Sequence, residues 1–343
     1  MTGRWQTLCA WAVAVRMLLL LTFPGGDLPT GGVPALVYRA ALSGAGLRES
    51  GTSPAPAETE PPASAETMAE IPELSPPTPA PEPADTPAPS PTAEVLPFTD
   101  TPGVTIKNNT SQSVDVAALT AEPLTQTLSA GGPQILIIHT HGTEAYTPAA
   151  GEEYEATDPY RTTDADRSVI RVGAALASAL RKQGLSVVHD TELYDYPSYA
   201  GCYARSEAAT LRWLEEYPTI SVVIDVHRDA VGTDEVVYKT LAASAGSTAQ
   251  VMLVVGTGEN GLSHPLWREN LKLALALQGS MNALCPTLTR PIHLAPERYN
   301  QHLTTGSFIL EVGTNGNTLT EALRAAELFA EAAGPVFLSL AED

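Results

Sequence analysis

Three polar segments follow apolar runs in this 343-residue chain. Ile-Leu-Ile-Ile leads into His139-Thr140-His141-Gly142-Thr143-Glu144. Val-Val-Ile leads into Asp225-Val226-His227-Arg228-Asp229, and Phe-Ile-Leu into Glu311-Val312-Gly313-Thr314-Asn315. Each segment is weak alone, but together they supply the donors of a catalytic zinc site. Such a site takes three ligands from His, Asp and Glu and leaves a position for water. His141 and Glu144 stand three apart, so one turn can converge both on a metal, and His227 would join from a neighbouring strand end. Glu311 is then the candidate general base on the water or acid to a leaving amine. His139 either orients His141 from behind or takes its place as ligand. His189, His264, His293 and His302 have weaker claims. Ser206 and Ser307 lack a partner base at a matching position, and nothing marks Cys202 as an activated nucleophile.

These segments need a scaffold that brings strand ends together. The apolar runs Gln134–His139, Ile220–Val226, Gln250–Gly256 and Ser307–Val312 read as buried strands, with a further strand at Leu185–His189. Helical spacing runs through Asp164–Gln183, Tyr203–Tyr217, Trp267–Leu284 and Leu319–Ala333, and Gly184, Pro218 and Pro286 follow as stops. Strand–helix alternation predicts an α/β fold with a mixed, mostly parallel sheet flanked by helices. In open sheets of this kind sites form at the carboxyl ends of strands, which is where the three segments lie.

The net charge is −20, which argues against nucleic acid as a partner, because phosphate binding needs a basic face. Much of the acid is local: residues 51–100 hold nine Asp or Glu, no Lys or Arg, and 14 of the 29 prolines. Such a stretch buries too little to offset its ordering entropy. Residues 24–130 are therefore read as a Pro/Ala/Glu-rich disordered linker, and 131–343 as one catalytic domain. Residues 1–23 are read as a transmembrane anchor. The apolar run 5–23 approaches bilayer-spanning length, Arg4 keeps the N-terminus inside, and Arg16 interrupts it. A cleaved signal peptide is the alternative; in either case the rest of the chain is exported. Three cysteines without paired spacing imply no disulfide framework.

Read together, these segments resemble the stage II sporulation protein P family. The resemblance rests on Ile-Ile-His-Thr-His-Gly-Thr-Glu (137–144), His-Asp-Thr-Glu-Leu-Tyr-Asp-Tyr-Pro-Ser-Tyr (189–199), Val-Ile-Asp-Val-His-Arg-Asp-Ala (223–230), Arg-Tyr-Asn-Gln-His-Leu (298–303) and Glu-Val-Gly-Thr-Asn-Gly-Asn-Thr (311–318). It implies a zinc-dependent N-acetylmuramoyl-L-alanine amidase fold, acting on peptidoglycan and also cutting peptide cross-links. It further implies work at the septal or forespore-facing membrane during engulfment, with stage II sporulation proteins D and M as partners. Zinc amidases of this kind take a Glu ligand from the start of the first helix. Here that neighbourhood offers Asp164 and Asp166, with Glu152, Glu153 and Glu155 upstream, and Glu144 is preferred for its defined spacing to His141. Arg228, Arg290, Arg298 and Asn300 are candidates for binding the stem peptide, whose carboxylates suit arginine forks. Arg228 has a structural alternative, a bridge to Asp229 or Asp225. Tyr194, Tyr196 and Tyr199 with Pro197 read as a glycan groove wall or as core. Rival functions are a wall-binding scaffold with a decayed site and a zinc carboxypeptidase.

Overall fold

Three strongly apolar runs build the middle of one sheet in the computed structural model, which describes residues 94–95, 103–233 and 236–342. The run 5–23 and the Pro-rich stretch 54–93 lie outside the described residues. The strands are β1 (Glu94–Val95), β2 (Ile106–Asn108), β3 (Ile135–Ile138), β4 (Val187–His189), β5 (Val222–Asp229), β6 (Tyr238–Lys239), β7 (Val251–Gly256), β8 (Ile292–Ala295) and β9 (Gly306–Thr314). The helices are α1 (Val116–Ala121), α2 (Val169–Lys182), α3 (Cys202–Glu216), α4 (Trp267–Leu284) and α5 (Leu319–Leu338). Seven strands form the main sheet in the order β2-β8-β7-β9-β5-β3-β4, and β1 pairs with β6 apart from it. All main-sheet pairings are parallel except β7 with β9. The expected mixed, mostly parallel sheet is thus present, as two parallel blocks that meet head to tail at β7 and β9.

The two faces of the sheet are covered unequally. Ile135 and Ile137 of β3, Val222, Ile224 and Val226 of β5, and Phe308, Leu310 and Val312 of β9 pack into one large core with α2, α4 and α5. The alternate residues face the other way, because successive strand side chains point to opposite faces. There Leu136, Ile138 and Val223 pack under α3, and Met252, Val254 and Ile309 form a small cluster with Tyr299. Past these clusters, toward the carboxyl ends of β5 and β9, the second face opens into a cleft that Tyr203 of α3 helps to line.

Local chemistry explains where the elements start and stop. Ser168 caps α2 by accepting the Ile170 amide at 3.3 Å, so the helix begins at Val169 and not at Asp164, whose carboxylate is used in a turn with Asp166 N. The helix α5 starts with a reciprocal capping box between Thr318 and Glu321. It continues past Pro335, five residues beyond the expected end, and this carries the buried Phe337 into the core. Strand β8 sits between Pro291 and Pro296, a setting that hides it from sequence periodicity.

The amino-terminal boundary differs from expectation. Ile106–Asn108 pairs in register with Ile292–Leu294 as the sheet's edge strand. Leu119 and Leu128 are buried in the main core, and Lys272 Nζ donates to Pro123 O at 3.0 Å. Residues 106–128, read from composition as linker, therefore belong to the fold. The apolar residues that anchor them are too sparse to show a period.

Glycine is required where α2 crosses β3. A Cβ on Gly173 would collide with the buried ring of His139 and the half-buried ring of His189. Gly173→Ala is therefore expected to destabilise by about 1–3 kcal/mol through overpacking, against a helix-propensity gain of up to about 1 kcal/mol. Urea denaturation of the variant measures the net loss, and a gain in stability would refute this account of the packing.

Candidate metal centre

The strand alternation decides which polar residues meet. Asp225 and His227 follow Val223 on the second face of β5, and Glu311 follows Ile309 on the same face of β9. His227 and Glu311 are direct register partners. The chain leaving β3 turns back on itself, with Glu144 N donating to His141 O at 3.0 Å. This turn brings His141 and Glu144 over the same place. One ligand atom from each of His141, Glu144 and His227 lies within 4.8 Å of the others, and all three residues are buried. Among the described residues this is the group whose donors converge closely enough for a metal ion.

The donor set fits a divalent cation. Glu144 stands 3.5 Å from Nδ1 of His141 and 3.5 Å from Nδ1 of His227. The buried Nε2 of His141 has no hydrogen-bond partner. The Nε2 of His227 lies 2.8 Å from Asp225 Oδ1, off the line of a ring N–H, so this is a charge contact and not a hydrogen bond. Carboxylate behind histidine is the arrangement that fixes a ligating ring. Asp225 is itself held, accepting from Thr140 N at 2.8 Å and Thr140 Oγ1 at 2.6 Å.

Arginines set the charge of the centre. Burial pushes the Glu144 carboxyl up, but Arg228 and the two neighbouring histidines outweigh it and hold the group well below the usual carboxylate range. Arg228 N donates to Glu144 Oε2 at 3.2 Å, and its guanidinium reaches Glu144 Oε1 at 3.5 Å, Ala145 O at 3.0 Å and Tyr160 O at 3.0 Å. Arg161 approaches Glu144 Oε1 at 3.5 Å and donates to Asp195 Oδ2 at 2.6 Å. For His227, burial lowers the ring's proton affinity, yet Asp225 and Glu144 together raise it well above its ordinary value. The cluster thus attracts positive charge at the point between its three donors. Glu311 differs: burial, with Glu144 and Asp229 nearby, lifts its carboxyl to about 8 against the pull of His227, and its Oε2 is buried without a partner.

Other expected residues go elsewhere. His139 lies on the opposite face of β3, against α2, where Nδ1 meets Val226 O at 2.9 Å and Nε2 meets His189 Nε2 at 2.9 Å. Burial and His189 push it down to about 3. Both nitrogens are engaged away from the cluster, so it is neither an alternative ligand nor a direct support of His141. Strand alternation would put the two histidines on one face; they part because β3 ends at Ile138 and the chain turns back at His141. Arg228 bridges neither Asp225 nor Asp229; each of its three guanidinium nitrogens has a partner inside the fold, at Ala145, Glu144 and Tyr160. Arg290 pairs with Asp229 at 2.7 Å, and Arg298 with Glu207 at 3.3 Å. Asn300 donates to Tyr203 O and Ser206 Oγ, each at 2.9 Å. None of these last three is among the residues that line the cleft over the cluster. Asp164 and Asp166 are exposed and apart from the cluster, and Cys202 and Cys285 are free.

Two contributors had little signal in the sequence. Asp225 stands two residues before His227, and same-face spacing on a strand could have found it. Arg161 sits in an irregular loop and has no such spacing. The donors open into a cleft of about 270 Å³, lined also by Tyr203, His293 and Tyr299.

The profile of stage II sporulation protein P matches residues 67–334. The chain belongs to that family. A curated member, stage II sporulation protein P of Bacillus subtilis (strain 168), is 29% identical over 208 residues, covering 57% of this chain and 49% of that one. The chain therefore spans about half the length of this relative. Among solved structures, N-acetylmuramoyl-L-alanine amidases of Nostoc punctiforme and of Clostridium difficile 630 align with TM-scores of 0.34 and 0.35, at 12% and 14% identity. Each alignment covers 61% of this chain, with 98% and 97% of the respective amidases.

Two stability measurements probe this centre. Arg228→Met removes one of the two guanidinium partners of Glu144 and leaves two carbonyls without their donor, and is expected to cost about 3–5 kcal/mol in denaturant unfolding. An arginine held only for substrate would cost nothing measurable. For Glu311, a folded value near 8 against an ordinary 4.5 means the folded protein keeps a proton that the unfolded chain releases. Its contribution to stability is full below 4.5 and is lost as pH rises to 8. In chelator, Glu311→Gln should raise the melting midpoint at pH 8 but not at pH 4.5, at about 2–4 °C per kcal/mol regained. Equal shifts at both pH values would show that Glu311 is not held protonated.

Proposed function

We propose that this chain is a zinc-dependent peptidoglycan hydrolase that cuts the amide between N-acetylmuramic acid and L-alanine. In the same reading it also cleaves peptide cross-links and thins the septal wall during engulfment in sporulation. The observation that carries it is the convergence of His141, Glu144 and His227 beside Glu311, in a chain of the stage II sporulation protein P family. The three residues would hold the ion. A zinc ion there supplies acidification of a water and polarisation of the scissile carbonyl.

The protein's own residues do the rest. Asp225 fixes the His227 ring, and Arg228 keeps Glu144 ionised and in place. Glu311, whose buried Oε2 has no other partner, can when ionised take a proton from the attacking water and return it to the leaving amine. The run 5–23 would tether the chain to the membrane with the catalytic fold outside, where the family's partner proteins D and M would meet it. The carboxypeptidase alternative needs an arginine free to clamp a terminal carboxylate, and Arg228 is committed to Glu144, Ala145 and Tyr160.

Digestion of purified sacculi by the full chain, with chelator and with zinc restored, tests this reading. Release of stem peptides with free L-alanine amino termini, lost with chelator and in His141→Ala, is expected. Glu311→Gln should slow it by about 10²–10⁴-fold. Loss of a terminal amino acid alone would favour the carboxypeptidase. Binding without products, in wild type and His141→Ala alike, would sink both.

A further inference from the structure

A second concavity, of about 440 Å³, adjoins the cleft and is not used by the reaction described above. Tyr196, Pro197 and Tyr199 line it together with Asp158, Arg161 and Asp195. Tyr194 is buried in the core, so only part of the tyrosine run faces this groove. Tyr196 and Tyr199 are 48% and 56% exposed. Two large rings left in water beside a cleft are the usual sign of a binding surface.

Tyr199 joins the groove to the metal centre. Its ring stacks on His141, with centroids 4.9 Å apart and planes at 29°. The Arg161 guanidinium lies 5.1 Å from the same ring's centroid. These contacts fix the ring as a rigid platform that continues the cleft. An occupant of the groove would therefore be attached to whatever bond lies over His141, Glu144 and His227.

The charge of the groove selects the occupant. Arg161 is the one basic residue among its lining, and it is already spent on Asp195 at 2.6 Å, Thr143 Oγ1 at 3.0 Å and Glu144 at 3.5 Å. Asp158 adds a negative charge. A carboxylate-rich stem peptide finds no free cation here. A neutral ring with one apolar face and hydroxyl or acetamido groups at its rim fits better, since flat aromatic faces bury such surfaces and the polar rim stays wet. We propose that this groove is the subsite for the glycan strand, with Tyr199 and Tyr196 as the platforms for its amino-sugar rings. This rests on the peptidoglycan reading above and adds which arm of the substrate lies on which side of the metal centre.

Binding of two probes to the full chain tests the assignment: glycan strands stripped of stem peptides, and free stem peptide, each followed by titration calorimetry. Tyr196→Ala and Tyr199→Ala should each weaken stripped-glycan binding by about threefold to tenfold, and Tyr199→Trp should retain it. Free stem peptide should bind wild type and variants alike. Tyr196 touches none of the metal donors and is half exposed, so an unchanged melting midpoint in Tyr196→Ala shows that the fold is intact. Glycan binding that ignores both tyrosines, or a loss of peptide binding in its place, would overturn the assignment. Because the stripped strand contains no muramoyl–alanine bond, the readout is independent of catalysis. Tyrosine-dependent glycan binding by a chain that cannot digest sacculi would remove the amidase reading and leave the groove. Digestion intact with tyrosine-independent binding would remove the groove alone.

Discussion

A buried carboxylate, Glu144, holds the centre of this protein together. It is almost wholly out of water, a position that costs several kcal/mol for a lone charge. Two arginines, a backbone amide and two imidazoles offset that cost. These partners come from three parts of the chain, so satisfying one charge aligns the turn after β3, the end of β5 and the loop that bears Arg161. The same arrangement that makes Glu144 tolerable also places His141 and His227 within reach of one point.

The sheet supplies the other constraint. His227 and Glu311 are register neighbours on parallel strands, and the shared face follows from alternation alone. Just past Glu311 the pairing slips: His227 pairs with Glu311 but Asp229 with Thr314. Gly313 takes up the extra residue at a φ of 69°, in the left-handed region. The slip ends regular pairing at the lip of the cleft, where Asp229 pairs with Arg290 and Asn315 N donates to Asp229 O.

Much of this was legible in the residues. The apolar runs named the central strands β3, β5, β7 and β9, and the polar residues at their ends named His141, Glu144, His227 and Glu311 as a set. What was not legible depends on side-chain direction or on distant partners. His139 and His141 are neighbours in sequence, but one lies on the strand facing α2 and the other on the turn beyond it. Arg228 looked free for substrate because its partners Tyr160 and Ala145 lie 68 and 83 positions away. The edge strand Ile106–Asn108 is too short, and too close to proline-rich sequence, to carry a period of its own.

The wide spacing of the donors along the chain has a consequence for folding. His141, His227 and Glu311 meet only when β3, β5 and β9 lie side by side, and parallel neighbours of this kind close loops of roughly 80 residues before any contact repays the entropy. The turn after β3 holds two donors, His141 and Glu144, but His227 and Glu311 come from distant strands. A chain that has formed its helices but not its central strands therefore lacks the complete set of donors and the acid–base group beside it. The capacity for chemistry belongs to the assembled sheet and to no one segment of the chain.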